Sequence, residues 1–598
     1  MLIRSVEKIK DRNYLQMEYD KLFVDRMKAA IPFPLRQWDA NKKQWHFSDK
    51  GLEMLRNLPN VKFYEDALNE VIDTSQYDLP VPYRGIDDRI DFEKFRRAAT
   101  DTLPELYPYD FQKRGISRLV NMEAQGLYFE CGLGKTYTSI CAAKELMDRG
   151  LVKQCLVISM VSIAISSWTN TLDRMGYSYQ IIDGPLKYRP SLLKHSKADF
   201  IITLSTSCDD DKYPLLDEDS LNSKHKKGNS RKRRSFVDVA LENKKLMLIV
   251  DELHKMSNTQ SGRFKCLLKI RKGCVRGIGL TGTVMKSTPE KCLLPLRFEY
   301  PDVFSRKSEF ENAFTIKEQG RFGMNIVGYR NLDILKNILF RAGMPALKKD
   351  YLKDLPPLLP PKLIYCETDD ISIKLVDKIR NEEACKLGKG DEYTELKDVY
   401  IRTHEALVCP SMFDPKLRAT NRLEAVADCL DNLDGKTVIF TTLKSAILEL
   451  YSYLTEKGYG CTCCSGSQSA EEINRRVKKF VTDDSCTVLI ATIQKMGTGF
   501  DGIKIAQNAI IYDFNTNSAD LIQAIGRLHR DGQKKTVSQI YILQDNAISE
   551  YQYKKVMKQK EMTESVEDFS RGPINSTIDM REVLDLIKDS KNFLRRRH

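Results

Sequence analysis

Short apolar runs alternate along most of this chain with stretches whose apolar residues recur at helical spacing. In one region, from about 106 to 310, the runs are Gly126-Leu-Tyr-Phe129, Cys155-Leu-Val-Ile-Ser159, Phe200-Ile-Ile-Thr-Leu204 and Leu246-Met-Leu-Ile-Val250. Runs with no polar alternation read as strands buried on both faces, and helices between them predict a parallel α/β sheet. The same pattern returns from about 415 to 545, at Thr437-Val-Ile-Phe440, Thr487-Val-Leu-Ile-Ala491 and Ala509-Ile-Ile-Tyr512. The fold class is therefore α/β, with two tandem lobes.

Around these lobes the pattern changes. Residues 1–72 read as a small α+β unit. It has a periodic stretch through Phe23 and Met27, then Trp38 and Trp45, then Leu52, Leu55 and Leu58 at helical spacing up to Pro59. Residues 73–105 are polar with scattered prolines and read as a linker. Residues 311–414 read as a mainly helical segment between the lobes, and 546–598 as charged helices ending in Arg595-Arg596-Arg597. Within the first lobe, 209–235 reads as an inserted loop. It carries the basic run Lys224-His-Lys-Lys-Gly-Asn-Ser-Arg-Lys-Arg-Arg234, which suits a solvated loop, a DNA contact or a nuclear address.

Composition adds limits. The 598 residues are 42% hydrophobic and 30% charged, enough for several domains, with no run long enough to cross a membrane. The N-terminus lacks the apolar segment of a secretory signal, so the expected location is intracellular: cytoplasm, nucleoid or nucleus. A net charge of +13 suits a polyanionic partner. The fifteen cysteines are scattered through apolar stretches, as expected of reduced, intracellular thiols. Cys461-Thr-Cys463-Cys464 lacks a second spaced Cys/His pair and reads as strand or turn rather than a zinc site.

Candidate chemistry begins at Gly132-Leu133-Gly134-Lys135-Thr136, between an apolar run and a helical stretch. Glycines in that position let backbone N–H groups close on phosphate oxygens, and the following helix N-terminus favours negative charge. Lys135 would reach the β- and γ-phosphates, and Thr136 would ligate Mg²⁺. The usual first glycine of such a loop is replaced by Phe129. Asp251-Glu252-Leu253-His254 ends the strongest apolar run, at the carboxyl end of a parallel strand, where such sheets bind ligands. Asp251 would hold Mg²⁺ and Glu252 would orient and deprotonate a water. Hydroxyls in Leu280-Thr281-Gly282-Thr283 could couple this acidic pair to domain closure.

In the second lobe, Gln523-Ala-Ile-Gly-Arg527-Leu-His-Arg530-Asp-Gly-Gln533 puts two arginines three positions apart, on one face if the segment is helical. An arginine finger acting in cis needs this arrangement: ATP binds to one lobe, and arginines from the other meet the charge developing at the γ-phosphate.

These motifs, in this order, resemble helicase superfamily two, specifically the Swi/Snf-related ATPases built on two RecA-like lobes. Asp513-Phe-Asn-Thr-Asn517-Ser-Ala-Asp-Leu-Ile-Gln523 runs without a gap into the family's final motif, and His529-Arg530-Asp-Gly532-Gln533 matches its ending. Leu106-Tyr-Pro-Tyr-Asp-Phe-Gln112 resembles the adenine-reading segment, which implies Gln112 as the base contact. Leu347-Lys-Lys-Asp-Tyr-Leu-Lys-Asp-Leu355-Pro356-Pro357 resembles the inter-lobe segment, and Trp168 follows the second strand as the family's tryptophan does. Gly497-Thr498-Gly499 matches another motif and implies Gly499 near the nucleotide. The sequence departs from the pattern at Phe129-Glu130-Cys131, Pro345-Ala346, Asp501-Gly502 and Thr516-Asn517-Ser518. None of these departures removes a catalytic group; they mark a divergent member.

Tyr19-Asp20, Arg36-Gln-Trp38-Asp39 and Lys43-Gln-Trp45 resemble the HARP domain of annealing helicases. Together the resemblances imply an ATP- and Mg²⁺-dependent translocase, active as a monomer, that reanneals or remodels branched and forked DNA through phosphate contacts. The alternatives are a Swi/Snf-type remodeller that displaces DNA-bound proteins, and a non-catalytic DNA-binding scaffold with a relic motor.

Overall fold

The structure, a computed structural model, describes residues 2–9, 11–17, 21–40, 42, 44–59, 61–100, 105–160, 164–209, 212–215, 233–256, 259–282, 289–320, 323–352, 354–384, 392–465, 468, 470–493, 502–514 and 518–564. Tyr19, Asp20, Lys43, Thr283, Gly499, Thr516, Asn517, most of the 224–234 basic run and Arg595–Arg597 lie outside these residues. The chain divides into two compact units. The smaller holds Met1–Asp78 with Arg306–Asn337, and the larger Leu79–Ser305 with Ile338–Val566.

The larger unit contains both α/β lobes. In the first, five parallel strands lie in the order Arg276–Gly279, Leu246–Asp251, Gln154–Ser159, Phe200–Leu204, Tyr179–Ile182. Gly126–Phe129 extends the sheet through parallel bridges of Ala124 with Gly277 and Leu127 with Leu280. Its other edge pairs in parallel with Gly343–Ala346, so a segment that follows the first lobe in sequence returns to flank the strand leading into the phosphate loop. All six residues of Leu246–Asp251 are buried, as a strand covered on both faces requires. In the second lobe six parallel strands are ordered Lys362–Cys366, Ser538–Gln544, Asn508–Ile511, Thr437–Thr441, Val488–Thr492, Cys461–Cys464. Both lobes therefore present the carboxyl ends of parallel strands, the edge at which such sheets bind ligands.

Residues 79–100, polar in sequence, pack onto the first lobe. Ile90 and Phe95 enter its core, and the Tyr137 hydroxyl donates to the Phe95 carbonyl at 3.1 Å. Lys94 reaches Glu145 and Asp148 at 2.5 and 2.8 Å. Polarity marked this segment as linker, but a few apolar anchors and paired charges suffice to fix an irregular chain. The segment 311–414, read from sequence as helical and inter-lobe, joins the second lobe from Lys362–Cys366 onward, and helices Asp370–Ala384 and Glu392–Val408 share a small core around Val376, Ile379 and Val399 with Ile548. The cysteine cluster 461–464 is a strand in which Cys463 Sγ accepts from Arg476. Among the described residues no group of three or more His, Cys, Asp or Glu is placed to hold a metal ion, and no helix is long and apolar enough to cross a membrane.

In the smaller unit, a five-stranded sheet runs Arg36–Asp39, Gln44–Phe47, Arg12–Met17, Leu2–Ile9, Lys62–Phe63. Helices Lys21–Ala30 and Asp49–Arg56 add Phe23, Val24, Met27 and Leu55 to its core. Trp45 belongs to that core at 9% exposure, whereas Trp38 is 48% exposed and meets Trp45 edge-on at 5.4 Å. The unit also includes a hairpin, Thr315–Gly320 with Gly323–Tyr329. Arg330 donates to the Ala67 carbonyl (3.1 Å) and to Glu70 (2.8 Å), and the Tyr77 ring packs on Phe310 and Phe314.

Candidate nucleotide site

The phosphate loop is shaped by backbone freedom at its glycines. Gly132 and Gly134 have φ of 93° and 77°, a region that L side chains avoid. Gly134 caps the helix Lys135–Asp148, so the loop's N–H groups and the helix N-terminus converge. Leu133 is buried beneath the loop. Gln112, also buried, accepts from the Tyr109 N–H (3.0 Å) and donates to the Leu133 carbonyl (3.0 Å), tying the loop to the preceding helix. Thr136 lies in the first helical turn, and Lys135 Nζ folds back to the Phe129 carbonyl at 3.0 Å.

The acidic pair stands beside the loop. Asp251 ends its strand, and its carboxylate accepts from the Trp168 indole N–H at 3.0 Å. Glu252 takes a left-handed backbone with φ of 53°, which costs about 1–3 kcal/mol for a residue with a side chain. Such strain persists where surrounding contacts over-determine it. Burial and the adjacent Glu252 push the Asp251 carboxyl up to about 6. Burial also pushes Glu252 up, but the surrounding cations, His254 when protonated with Lys135, Lys255 and Arg527, outweigh it and hold Glu252 below the usual carboxylate range. The two neighbouring carboxyls are thus driven apart, and Glu252 loses its proton before Asp251 as pH rises.

A chain of polar contacts crosses from this pair to the second lobe. Burial pushes His254 down to about 4, so its ring is neutral. His254 Nδ1 lies 2.9 Å from the Thr281 hydroxyl and 3.4 Å from Glu252 Oε2. Its Nε2 lies 3.0 Å from Gln523 Nε2, which belongs to the second lobe. A neutral ring can accept from that amide only by donating from Nδ1, so the protons run in one direction along the chain.

Gln523 and Arg527 lie on the helix Ser518–Leu528. The sequence placed Arg530 on the same helix; the structure ends the helix at Leu528 and puts Arg530 in the turn that follows. Two residues explain the stop. Gly532 has φ of 83°, and the buried Gln533 amide donates to the carbonyls of Lys504, Ala506 and Leu528, fixing a turn in place of further helix. The turn still brings Arg530 against the phosphate loop: a Cβ placed on Gly132 would stand 3.2 Å from Arg530 Cβ and 3.7 Å from its Nε. Arg527 lies near enough to bias both Glu252 and Cys131. Burial pushes the Cys131 thiol up, yet Arg527, Lys135 and Lys348 outweigh it and hold it below the ordinary thiol range.

Lys135, Asp251, Glu252, Arg527 and Arg530 thus meet in one cleft, with Gln112, Gly132, Leu133, Gly134 and Thr136 forming its loop side. The positive field that depresses Cys131 suits a triphosphate, and the oxygen donors of Thr136 and Asp251 suit Mg²⁺, which prefers hard ligands and few protein groups. Between Lys135 and Glu252 on one wall and Ile522, Gln523 and Gly526 on the other, the cleft leaves only about 10 Å³, room for one water. Two members of the cleft were not singled out by sequence, Glu130 and Lys348. Both were in view, in Phe129-Glu130-Cys131 and Leu347-Lys348, but nothing in the spacing joins positions so far apart.

Parallel lobes that close a phosphate loop against an arginine-bearing segment define the helicase-like class of two-lobed P-loop proteins. Comparison with known families is specific: the SNF2-related domain matches residues 111–409 and the helicase conserved C-terminal domain matches 421–532, and the chain belongs to the SNF2-related family of helicase superfamily two. Among curated proteins, the chain is 24% identical to the SWI/SNF chromatin-remodeling complex subunit snf22 of Schizosaccharomyces pombe, over 74% of this chain and 27% of that protein. It is 22% identical to the SWI/SNF-related matrix-associated actin-dependent regulator of chromatin subfamily A-like protein 1 of Xenopus tropicalis, over 91% of this chain and 55% of that one. The chain thus spans between about a quarter and just over half of the length of these relatives. Among solved structures, the Sulfolobus solfataricus SWI2/SNF2 ATPase core in complex with dsDNA matches 86% of this chain and 99% of that one at 17% identity, with a TM-score of 0.34.

Proposed function

We propose that this protein is an ATP-dependent DNA translocase that reanneals or remodels branched and forked DNA. The observation that carries the motor reading is the seating of Arg530 against Gly132, with Arg527 beside Glu252: the second lobe supplies cations to the phosphate loop of the first. In this reading Lys135 binds the β- and γ-phosphates, and Glu252 orients and deprotonates the attacking water. Thr136 and Asp251 would hold Mg²⁺, which neutralises phosphate charge. Arg527 and Arg530 stabilise the transferring phosphoryl group when the lobes close, and hydrolysis lets the lobes part to a new register on the DNA backbone. The net charge of +13 favours phosphate contacts with little sequence preference.

The choice of forked DNA rests on the smaller unit. The alignment with the subfamily A-like protein 1 of Xenopus tropicalis takes in 91% of the chain, so it necessarily reaches into residues 1–78, ahead of the SNF2-related domain. The HARP-like residues around Trp38 and Trp45 belong to that same compact unit.

The test is ATP hydrolysis with forked, duplex and single-stranded DNA, followed by a strand-annealing assay. The expected result is stimulation by duplex and more by forked DNA, with annealing that requires ATP. Lys135→Ala should abolish hydrolysis, and Glu252→Gln should abolish it while still binding ATP; near-wild-type turnover in either variant refutes the site assignment. Equal stimulation by all DNA forms, without annealing, refutes the fork reading and leaves protein displacement from duplex DNA as the activity to measure.

A further inference from the structure

Lys348 lies between the two lobes, and its surroundings are unusual for a lysine. It follows the strand Gly343–Ala346, which pairs with Gly126–Phe129, the strand that enters the phosphate loop. That ladder continues beyond the strands: the Glu130 N–H donates to the Ala346 carbonyl at 2.8 Å, and the Lys348 N–H donates to Glu130 Oε2 at 2.9 Å. The backbone of Lys348 is thus fixed to the first lobe, one residue from Cys131 of the loop.

Its side chain is 6% exposed and points the other way. Nζ donates to the His529 carbonyl at 2.5 Å and lies 3.4 Å from the Gly526 carbonyl, with Glu130 Oε1 at 4.0 Å. Gly526 and His529 carry carbonyls at the C-terminal end of the helix Ser518–Leu528, where partial negative charge collects and the last carbonyls lack helical partners. A buried ammonium is costly unless compensated, and here a carboxylate of one lobe and a helix terminus of the other share it. Of the two carbonyls it holds, that of Gly526 immediately precedes Arg527 and that of His529 immediately precedes Arg530.

We propose that Lys348 is a positioning residue that sets the register of Arg527 and Arg530 on the phosphate loop, with Glu130 anchoring it to the first lobe. It acts through the end of the segment that carries both arginines, which it fixes by the Gly526 and His529 carbonyls. Its unbranched four-carbon stem lets it keep hold of the carbonyls while the cleft widens for a nucleotide. This inference rests on the reading of Arg527 and Arg530 as groups that meet the ATP phosphates.

Lys348→Met keeps the stem and removes the charge, so the buried site remains filled. In the full chain it should lower DNA-stimulated kcat by about 10²-fold, the size of effect expected when catalytic groups are misplaced by about 1 Å, with KM for ATP within about threefold. Lys348→Arg, which keeps the cation, should recover much of the loss. Because Lys348 acts through the arginines, adding Lys348→Met to Arg530→Ala should cost much less than the product of the two single effects. A change confined to KM, or losses that multiply in the double variant, overturns the proposal.

Amide hydrogen exchange in the chain without nucleotide reads the same contact independently of hydrolysis. Lys348→Met should speed exchange in a peptide covering 523–533 and leave the second-lobe strand Thr437–Thr441 unchanged. Unchanged exchange at 523–533 overturns the proposal whatever the ATPase result. Absence of hydrolysis in the wild-type chain with every DNA, alongside faster exchange in the variant, counts against the ATPase reading and leaves the clasp standing.

Discussion

At the scale of single residues, the cleft concentrates charge that would be expensive elsewhere. Arg530 sits in a turn rather than on a helix, so its position depends on Gly532 and Gln533 as much as on its own side chain. Arg530→Ala should lower kcat by about 10³-fold or more, as removal of arginine fingers does, with less effect on KM; steady-state kinetics separates the two parameters. Another buried charge lies outside the site. Glu299 is 1% exposed; burial pushes its carboxyl up to about 8, and one oxygen accepts the Gly279 N–H at 2.7 Å. The folded chain therefore keeps a proton on Glu299 between about pH 4.5 and 8, where the unfolded chain has lost it. More protons bound in the folded state means that this group's contribution falls as pH rises through that window and levels off above about 8. Glu299→Gln should remove the slope, about 1.4 kcal/mol for each pH unit of that window, so its stabilising effect grows from pH 5 to pH 8. Denaturant melts at the two pH values check this.

At the scale of elements, each part of the site sits where a strand or helix ends. Gly134 shows why the loop cannot be rebuilt with an ordinary side chain. It has φ of 77°, and a Cβ there would collide with Gln112 Nε2. Gly134→Ala imposes the left-handed strain, about 1–2 kcal/mol, and also displaces the Gln112 amide that holds the loop. Nucleotide affinity measured by titration should fall at least about tenfold, while the melting temperature shifts by only a few degrees. On the other side, the helix Ser518–Leu528 delivers Gln523 to His254 and Arg527 toward Glu252, so one element reads the acidic pair at two points.

At the scale of the whole molecule, each compact unit draws on distant parts of the chain. Residues 306–337 complete the unit that begins at the N-terminus. Truncating 1–72 would strip Arg330, 9% exposed, of Ala67 and Glu70 and leave a buried guanidinium uncompensated. A point substitution therefore tests the fork reading more cleanly. Trp38, half-exposed, should tolerate Trp38→Ala with duplex-stimulated ATPase within about twofold of wild type and a several-fold loss of annealing. Trp45→Ala removes a core ring and should cost about 3–5 kcal/mol of that unit's stability. Annealing unaffected by Trp38→Ala means that this surface is not the substrate contact.

Sequence alone determined the two parallel lobes, because strands buried on both faces leave uninterrupted apolar runs such as Leu246–Val250. It also located the candidate phosphate loop, since Gly132, Gly134, Lys135 and Thr136 are adjacent and the turn they make is local. Local order could not reveal what tertiary structure decided: that Arg530 lies beyond its helix, that His254 bridges Thr281 and Gln523, that residues 79–100 are packed, and that Lys348 clasps the arginine segment. Each depends on side chains and carbonyls brought together across long sequence separations, where burial and shared charge, rather than periodicity, select the partners.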